Sequence, residues 1–377
     1  MDLTPAVLAA VQEFQSPPSA EREAQTQQLQ QELLQICQSC SQNLSLPPGE
    51  LRRVGAYQLG VQKEDSELDL IYVVVPEGAL SQLLTAVEQH LRQVLQLRLE
   101  GTDSSLCFEL KGQAVRLLLA QDLQGEVALS MASLGEQEPQ TDAAQSMAAL
   151  QAEKAGQQIL ASVPNVEDFR TLLRVVRHWA QQRGLYGSLF GFFSGSAWAV
   201  CCARVCQAHP GQEVGLLLCH FFQDLCRWDW SKPVSVLPTE TAGRLSVMLG
   251  AGGRVSESAM RALQKELRRG LKEVKEQRIT ELLAQHNFFR RYRQYIRLDF
   301  IGTTEEISQR WWAWGHQQLP ELVLLLESMM DGKATVGRFL GSAVSQALEP
   351  WEVTLRPWPQ WLPFKDEKWP HAKAQSS

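Results

Sequence analysis

The sequence predicts an α+β fold, in which a mixed sheet with helices is followed by a mainly helical region. The apolar run from Leu68 to Val75 is flanked by turn residues, which indicates a buried strand. Two more apolar runs, 106–110 and 114–120, are separated by three residues, and this spacing predicts a β-hairpin. From Asp168 to His209 the apolar residues instead follow a helical period.

The segments around the first strand predict helices. An early apolar helix precedes the break at residues 16–19, and residues 20–44 have apolar positions near helical spacing. We expect this second helix to pack on the core, although a low-complexity interaction tract is the alternative. Residues 57–61 are predicted as a strand or its turn, and residues 77–97 as a helix.

The second half of the chain predicts further helices and two strands. Residues 123–156 predict a loop and a linker helix, and a helix with a basic face follows at 256–278. Thr303 or Thr304 is expected to cap a long helix. The two strands are predicted at residues 295–301 and 351–355.

Composition limits the class of protein. A chain of 377 residues predicts two or three domains, and 44% hydrophobic with 21% charged residues is typical of a soluble globular protein. The net charge of -6 means that any nucleic-acid contact must come from local basic patches. We expect an intracellular location, in the nucleus or the cytoplasm, because neither a secretory leader pattern nor an apolar run of about 20 residues is found.

The cysteines and histidines do not predict a metal site. Cys37 and Cys40 have no second pair at zinc spacing, so we expect them to be buried as small apolar residues. Cys219-His220 and Cys226 lack a fourth ligand, and the sequence shows no histidine cluster that would support hydrolysis.

Three acids lead into the first predicted strand. Asp65, Glu67 and Asp69 would share one face if the extended conformation begins at residue 65. Clustered carboxylates are costly without a cation, and oxygen ligands suit Mg²⁺ or Mn²⁺ that is shared with a phosphorylated substrate. The sequence therefore predicts a divalent-metal site at the mouth of this strand.

These acids belong to a longer pattern. Gly55-Ala56 followed by Glu67-x-Asp69 resembles the Gly-Ser and Asp-x-Asp motif of the DNA polymerase β-like nucleotidyltransferases, and most closely of eukaryotic-type poly(A) polymerases. Further matches to that family follow in the same order, from about residue 28 to about residue 355: Val163-Pro164-Asn165, Phe169-Arg170, Trp179-Ala180, Arg183-Gly184-Leu185-Tyr186, Gly191-Phe192, Gly195, Trp198, Phe221-Phe222, Trp228-Asp229-Trp230, Asn287-Phe288-Phe289, Tyr292 and Tyr295-Ile296.

The resemblance implies a domain order. It comprises a nucleotidyltransferase palm built on a mixed sheet, a helical central domain and a small β-α-β RNA-binding-like C-terminal domain. The corresponding ranges are N-terminal helices at 1–45, the palm at 46–135, the central domain at 136–280, the C-terminal domain at 281–362 and a disordered tail at 363–377.

The resemblance also implies a reaction, the transfer of AMP from ATP to the 3′ end of single-stranded RNA, as in mRNA polyadenylation. Glu67 and Asp69 match the first two of three carboxylates that hold two metal ions. Arg116 stands where the third acid belongs, and it would repel a metal and pair with Glu67 or Asp69. Asp65 as a metal ligand and Glu109 are the candidate substitutes, although both also fit solvated loop acids.

Six positions match the family's nucleotide-binding site: Gly55, Ala56, Arg177, Tyr186, Gly195 and Ser196. Ala56 lacks the hydroxyl of the family's serine, and Gln181 cannot replace a second lysine that contacts phosphate. Nucleotide binding is therefore expected to be partly retained, and a catalytically impaired RNA-binding or scaffold protein is the alternative to an enzyme.

Two other segments leave alternatives open. Arginines between residues 290 and 297 alternate with aromatic side chains. This pattern is expected for a surface that binds single-stranded RNA. It is equally expected for aromatic residues in a domain core with the arginines on its solvent-exposed face. Gly250 to Gly253 predicts a flexible turn, because no Lys-Ser/Thr follows it as in a phosphate-binding loop. Trp311, Trp312 and Trp314 are expected in a core or interface.

Overall fold

The fold is described from a computed structural model of the 377-residue chain. The described residues are 3–14, 19–74, 80–93, 99–102, 105–121, 142–187, 192–236, 245–247, 257–287 and 303–330. The predicted strands at 295–301 and 351–355, the arginines at 290–297, the glycine turn at 250–253 and the tail after 363 lie outside these residues. The predicted domain boundaries, including the C-terminal domain at 281–362, stay predictions.

A five-stranded mixed sheet forms the first half of the molecule, in the order β1-β2-β5-β4-β3. β2 pairs parallel with β5, and the other neighbouring strands pair antiparallel. The strands are β1 (Glu50–Arg53), β2 (Leu68–Val74), β3 (Leu99–Thr102), β4 (Ser105–Leu110) and β5 (Gln113–Gln121).

The predicted hairpin is confirmed as β4 and β5, joined by a turn at Lys111 and Gly112 with φ of 53° and 73°. Because β5 also pairs with β2, the hairpin fixes which residues face the first acidic strand. The register places Arg116 beside Asp69 on one side and Cys107 on the other.

The two faces of the sheet are covered differently. One face carries the alternate residues Leu68, Leu70, Tyr72, Val115 and Leu117, all fully buried. It packs against two helices, α2 (Ala20–Asn43) and α4 (Leu80–Gln93), which confirms the helices predicted at 20–44 and 77–97. On the opposite face the ladder of Asp69, Ile71 and Val73 is covered only from Ile71 onward, by residues that include Leu150. Asp69 and Arg116 therefore lie at the uncovered end of that face.

The strand predicted at 57–61 is wrong, because these residues belong to a short helix, α3 (Gly55–Leu59), and the turn that follows it. α3 lies between two glycines in the left-handed region, Gly55 at φ 64° and Gly60 at φ 72°. The strand that pairs with β2 is instead β1, four residues further toward the N-terminus of the chain and missed in the sequence. Asp65 lies in a turn before β2, so the extended conformation does not begin that early.

Helices make up the rest of the described chain. Besides α1 (Thr4–Phe14), they are α5 (Asp142–Ser162), α6 (Val166–Gln182), α7 (Gly195–Ala208), α8 (Val214–Arg227), α9 (Glu257–Lys275), α10 (Ile279–Leu283) and α11 (Glu305–Met330), together with a small sheet of β6 (Val234–Val236) and β7 (Leu245–Val247). None of the helices in the described ranges is long and apolar enough to cross a membrane.

Local signals explain where these helices begin. The Asn165 side chain accepts hydrogen bonds from the backbone N–H groups of Glu167 and Asp168, which caps α6. Thr304 accepts a hydrogen bond from the N–H of Ile307 at 3.3 Å, as predicted for the start of α11. Cys37 and Cys40 are buried on α2, as expected, and burial raises the pKa of Cys37 to about 12.

Aromatic rings form the centre of the helical core. The fully buried Trp179 of α6 meets Trp198 of α7 edge to face at 5.8 Å between ring centroids. Phe222 of α8 meets the same indole at 5.0 Å, and Phe221 at 6.4 Å. Edge-to-face packing of this kind stabilises a core beyond the area it buries. It holds α6, α7 and α8 in a fixed arrangement beside the sheet.

Candidate active site

An ion pair occupies the place where the sequence predicts a metal site. Arg116 donates from Nε to Asp69 Oδ1 at 2.8 Å, and its Nη2 lies 2.7 Å from the same oxygen. The two residues are direct neighbours across the parallel pairing of β2 and β5. The side chain of Asp69 is 18% exposed and that of Arg116 is 45% exposed, so the pair stands at the sheet surface. The expectation that Arg116 pairs with one of the two acids is met, and the partner is Asp69.

The turn before α3 closes the other side of Asp69. A Cβ atom added at Gly55 would lie 3.1 Å from Asp69 Oδ2, and Gly55 has a positive φ that side chains rarely adopt. Val54 donates its N–H to the carbonyl of Asp69 at 3.0 Å, which fixes the turn against β2. Gly55 and Asp69, two of the predicted site residues, are therefore brought together.

The charges of this cluster are coupled. Burial raises the pKa of Glu67 and of Asp69, and the Arg116 guanidinium acts in the opposite direction on both. For Arg116, burial lowers the pKa, but the attraction of Asp69 and Glu67 outweighs it and the pKa rises. Arg116 is thus a permanent cation, and both acids are held close enough to it to feel its charge.

Two predicted substitutes for the missing acid stand apart from this pair. Asp65 is exposed in the turn before β2, and Glu109 is exposed on β4, opposite Ala114. Among the described residues, the groups that raise the pKa of Arg116 are Asp69, Glu67 and the Cys107 thiol. Asp65 as a metal ligand remains a prediction, and the geometry gives it no role beside Asp69.

Three arginines of α6 form hydrogen bonds with the loop that leads to Glu67 and Asp69. Their spacing along the helix places them on one face, and each donates to one of three consecutive carbonyls. Arg170 reaches the carbonyl of residue 59 at 3.0 Å, Arg174 that of residue 60 at 2.6 Å and Arg177 that of residue 61 at 3.2 Å. Residue 60 favours glycine, because its φ of 72° strains any other residue and a Cβ atom there would lie 2.5 Å from Arg170 Nε and displace the guanidinium.

The predicted nucleotide residues of the helical region also meet each other. The Arg177 guanidinium lies over the ring of Tyr186, 5.7 Å from its centroid. A Cβ atom at Gly195 would lie 2.5 Å from the Tyr186 hydroxyl, so the tyrosine rests directly on the start of α7. Ser196 lies in the same first turn, with its hydroxyl 2.9 Å from that of Ser194. Ala56 is half-buried on α3 and packs against the helical core.

Lys63 is a cation that the sequence reasoning missed. Its ammonium group donates to Gln181 Oε1 at 3.1 Å. A positive charge from the loop therefore lies beside Gln181, the position at which the family resemblance implies a lysine. Its backbone N–H donates to the Ser66 hydroxyl at 2.7 Å, which fixes the same loop just before Glu67. The sequence offers no periodic signal for this contact, because 118 residues separate Lys63 from Gln181.

The chemistry of the donor set is that of a hard cation, but Arg116 already pairs with one of its oxygens. Glu67 and Asp69 Oδ2 offer carboxylate oxygens of the kind that Mg²⁺ binds. The position of a third acid carries the Arg116 guanidinium, which neutralises Asp69 Oδ1 and repels a cation. A second metal ion at the Arg116 side therefore has no ligands among the described residues.

Comparison with known proteins finds similarity to poly(A) polymerases. A family model described as the poly(A) polymerase central domain matches residues 168–251. Nuclear poly(A) polymerase 1 of Arabidopsis thaliana is 26% identical over 311 residues, which cover 72% of this chain and 43% of that protein. Poly(A) polymerase pla1 of Schizosaccharomyces pombe is 25% identical, covering 74% of this chain and 55% of that protein. The chain is thus similar to poly(A) polymerases over about three quarters of its length, at about 25% identity.

Solved structures of the same type share the fold at low identity. Cid1 in complex with the UTP analogue UMPNPP has a TM-score of 0.54 at 10% identity, covering 75% of this chain and 98% of that chain. The non-canonical poly(A) polymerase complex GLD-2–GLD-3 gives a TM-score of 0.52 at 13% identity, with the same coverage. These likenesses confirm the predicted fold, a mixed sheet followed by a helical region. The chain spans about half or less of the length of the curated relatives described above.

Proposed function

We propose that this chain binds ATP and the 3′ end of single-stranded RNA and transfers AMP to that end. The proposal rests on one arrangement, in which the loop 60–66 links two groups of site residues. Its start is held by Arg177 of α6, its middle carries Lys63, and its end leads to Glu67 and Asp69. Cations for phosphate groups and carboxylates for a metal ion are thereby supplied from one connected segment.

The reaction assigns a task to each group. The RNA 3′ oxygen forms a bond to the α-phosphorus of ATP, the bond to the diphosphate leaving group breaks, and the hydroxyl proton is released. Glu67 and Asp69 would hold Mg²⁺ or Mn²⁺, which supplies charge neutralisation at the reacting phosphate when bound. Arg177 and Lys63 are positioned as charges for the phosphate groups.

The remaining positions would hold the nucleoside. Tyr186 presents its ring between Arg177 and the start of α7, where Gly195 leaves room for it and Ser196 offers a hydroxyl. Ala56 retains a backbone N–H for the triphosphate but has no hydroxyl. Cid1 has been solved with MgGTP bound, which is the same class of ligand on a related fold.

The Arg116–Asp69 ion pair favours a second candidate function, an impaired polymerase that binds RNA without extending it. The guanidinium holds one oxygen of Asp69 and takes the place of a third acid. Transfer through a single bound metal ion would then be slow, and RNA binding by the remaining surface would persist. The two candidate functions differ in their need for Glu67 and Asp69. AMP transfer requires both carboxylates, whereas RNA binding by the remaining surface does not.

An extension assay separates them. Purified protein is incubated with labelled RNA, each nucleoside triphosphate and Mg²⁺ or Mn²⁺, and RNA affinity is measured in parallel at two salt concentrations. We expect slow extension with ATP that is lost in the Glu67→Ala/Asp69→Ala double variant and is faster in Arg116→Asp. The matched control is Arg92→Asp, since Arg92 forms a similar surface pair with Glu88 on α4.

The alternative outcomes are distinct. If Arg116→Asp extends RNA and the parent does not, the Arg116 guanidinium is the cause of the lost activity, and the second candidate, an impaired polymerase, is favoured. RNA binding that is unchanged by the double variant, with no extension by any variant under either metal, would overturn AMP transfer.

A further inference from the structure

Two histidines and an aspartate meet on the helical region, away from the residues proposed for nucleotide transfer. His209 ends α7, and His220 and Asp224 lie one turn apart on α8. One ligand atom from each residue lies within 4.8 Å of the corresponding atoms of the other two. All three are partly exposed. The sequence alone did not reveal this group, because the turn between α7 and α8 brings together two histidines that are 11 positions apart.

We propose that His209, His220 and Asp224 form a binding site for a Zn²⁺ ion, with water completing its coordination. Imidazole nitrogen and carboxylate oxygen are ligands that Zn²⁺ accepts, and three protein ligands plus solvent is a coordination that zinc adopts. Oxygen-only cations such as Mg²⁺ are disfavoured by the two imidazoles. This metal is separate from the Mg²⁺ or Mn²⁺ of the transfer site.

The present contacts bring the three ligand groups together without a metal ion. The two imidazole rings are stacked at 3.6 Å between centroids with an angle of 10° between their planes. The ligand atoms of both rings and of Asp224 lie within 4.8 Å of one another.

A structural hydrogen bond between His209 and Asp224 explains only part of this cluster. His209 Nε2–H donates to Asp224 Oδ2 at 2.8 Å, which already joins the end of α7 to α8. That hydrogen bond needs no second histidine. His220, one turn before Asp224 on the same face of α8, supplies the third ligand that distinguishes a metal site from an ion pair.

Metal binding requires one rearrangement. Parallel stacked rings cannot both direct an in-plane lone pair at one ion, so the stack must open for Zn²⁺ to enter. The side chains of His209 and Asp224 are 26% and 34% exposed, which leaves room for this movement. The bound ion would then fasten the α7–α8 turn, and α8 in turn packs against α1 through Glu213 and Thr4.

The test is a Zn²⁺ titration of the full chain, free of any purification tag, followed by calorimetry in excess Mg²⁺ so that the carboxylates of the transfer site are occupied. We expect one Zn²⁺ per chain and an affinity that falls by at least about 10-fold in His220→Ala and in Asp224→Asn, since loss of an outer partner alone costs that much. Asp224→Asn keeps the shape of the side chain and an acceptor for His209.

The controls are His90→Ala on α4 and Cys219→Ser, the neighbour of His220 on α8, and both should bind Zn²⁺ as the parent does. Absorption of the Co²⁺ form should show nitrogen and oxygen ligation without a thiolate charge-transfer band. Added Zn²⁺ should raise the melting temperature of the parent and not that of Asp224→Asn. The absence of binding, binding that is unchanged in both ligand variants, or a thiolate band would each overturn the proposal.

Discussion

The helical core and the acidic edge of the sheet differ in how their side chains are packed. Around Trp179 the large side chains are fully buried and interlocked edge to face, and the family model matches this part of the chain. At the sheet edge, Arg116 stands beside Asp69 where the family pattern has an acid, and its side chain is 45% exposed. The sheet edge therefore presents a partly exposed ion pair, whereas the helical core is closed to solvent.

The difference has a physical cause. A buried indole touches many neighbours, and any change of its volume leaves a cavity or a clash. A paired charge at a surface contributes little to stability, so its replacement leaves the fold intact. Similarity in the helical core therefore identifies the scaffold, whereas the chemistry has to be tested at Asp69 and Arg116.

The largest effect is expected for Trp179→Ala. The substitution removes a fully buried indole at the junction of three helices and should lower the free energy of unfolding by about 3–5 kcal/mol. Urea denaturation followed by circular dichroism measures this change. The matched control is Trp312→Ala, because Trp312 is 56% exposed and its removal should change stability by about 0.5 kcal/mol or less. Equal losses for the two variants would contradict the assignment of the core.

A smaller loss is expected for Glu266→Gln. This carboxylate on α9 is buried and accepts hydrogen bonds from Arg183 and Arg269, both at 2.9 Å. Removing its charge leaves Arg183 without its ionic partner, and the cost should be about 3 kcal/mol at neutral pH. Glu88→Gln, in an exposed pair on α4, should change stability by less than about 1 kcal/mol.

The effect of Glu266 should also depend on pH. Burial alone would raise its pKa, but the hydrogen bonds from Arg183 and Arg269 outweigh burial and lower it. A lowered folded-state pKa stabilises the protein above the ordinary glutamate pKa of about 4.3, and this stabilisation is lost as the pH falls through the folded-state value. The difference between the parent and Glu266→Gln should therefore shrink in acid. A difference that stays constant from neutral pH to pH values below both pKa values would argue against the ion pair.

The sequence predicted the elements whose signals are local and periodic. The spacing of the two apolar runs predicted the hairpin, and the resemblance to the family's hairpin placed Arg116 near the acids. The apolar face of α6 likewise followed from its helical period. These features depend on neighbours within one element or one turn.

Other features depend on the tertiary fold, and the sequence reasoning missed them. A five-residue helix between Gly55 and Gly60 is too short to show a period, so it was taken for a strand. Lys63 meets Gln181, and His209 meets His220 and Asp224, only because separate helices and loops pack together. Asp65 lies in a turn and not on the strand, because the strand begins three residues later, at Leu68.

The smallest effect on stability is expected for Arg116→Met, and this variant sharpens the comparison most. The ion pair is partly exposed, so its loss should cost less than about 1 kcal/mol of unfolding free energy. The substitution should change the pKa of Asp69, because the Arg116 guanidinium opposes the rise in this pKa that burial causes. Without Arg116 the pKa of Asp69 should rise further, and a carbon-detected NMR titration of the carboxyl group measures it.

The sign of the pH dependence follows from that rise. An acid whose folded-state pKa is raised loses stability as the pH increases from the ordinary aspartate value of about 3.9 through the folded-state value. Arg116→Met should therefore match the parent in acid and fall slightly below it at neutral pH, while Mn²⁺ binding at Glu67 and Asp69 becomes tighter. A loss of more than about 2 kcal/mol, or weaker Mn²⁺ binding, would mean that Arg116 maintains the fold of the sheet edge, and the contrast with the helical core would then fail.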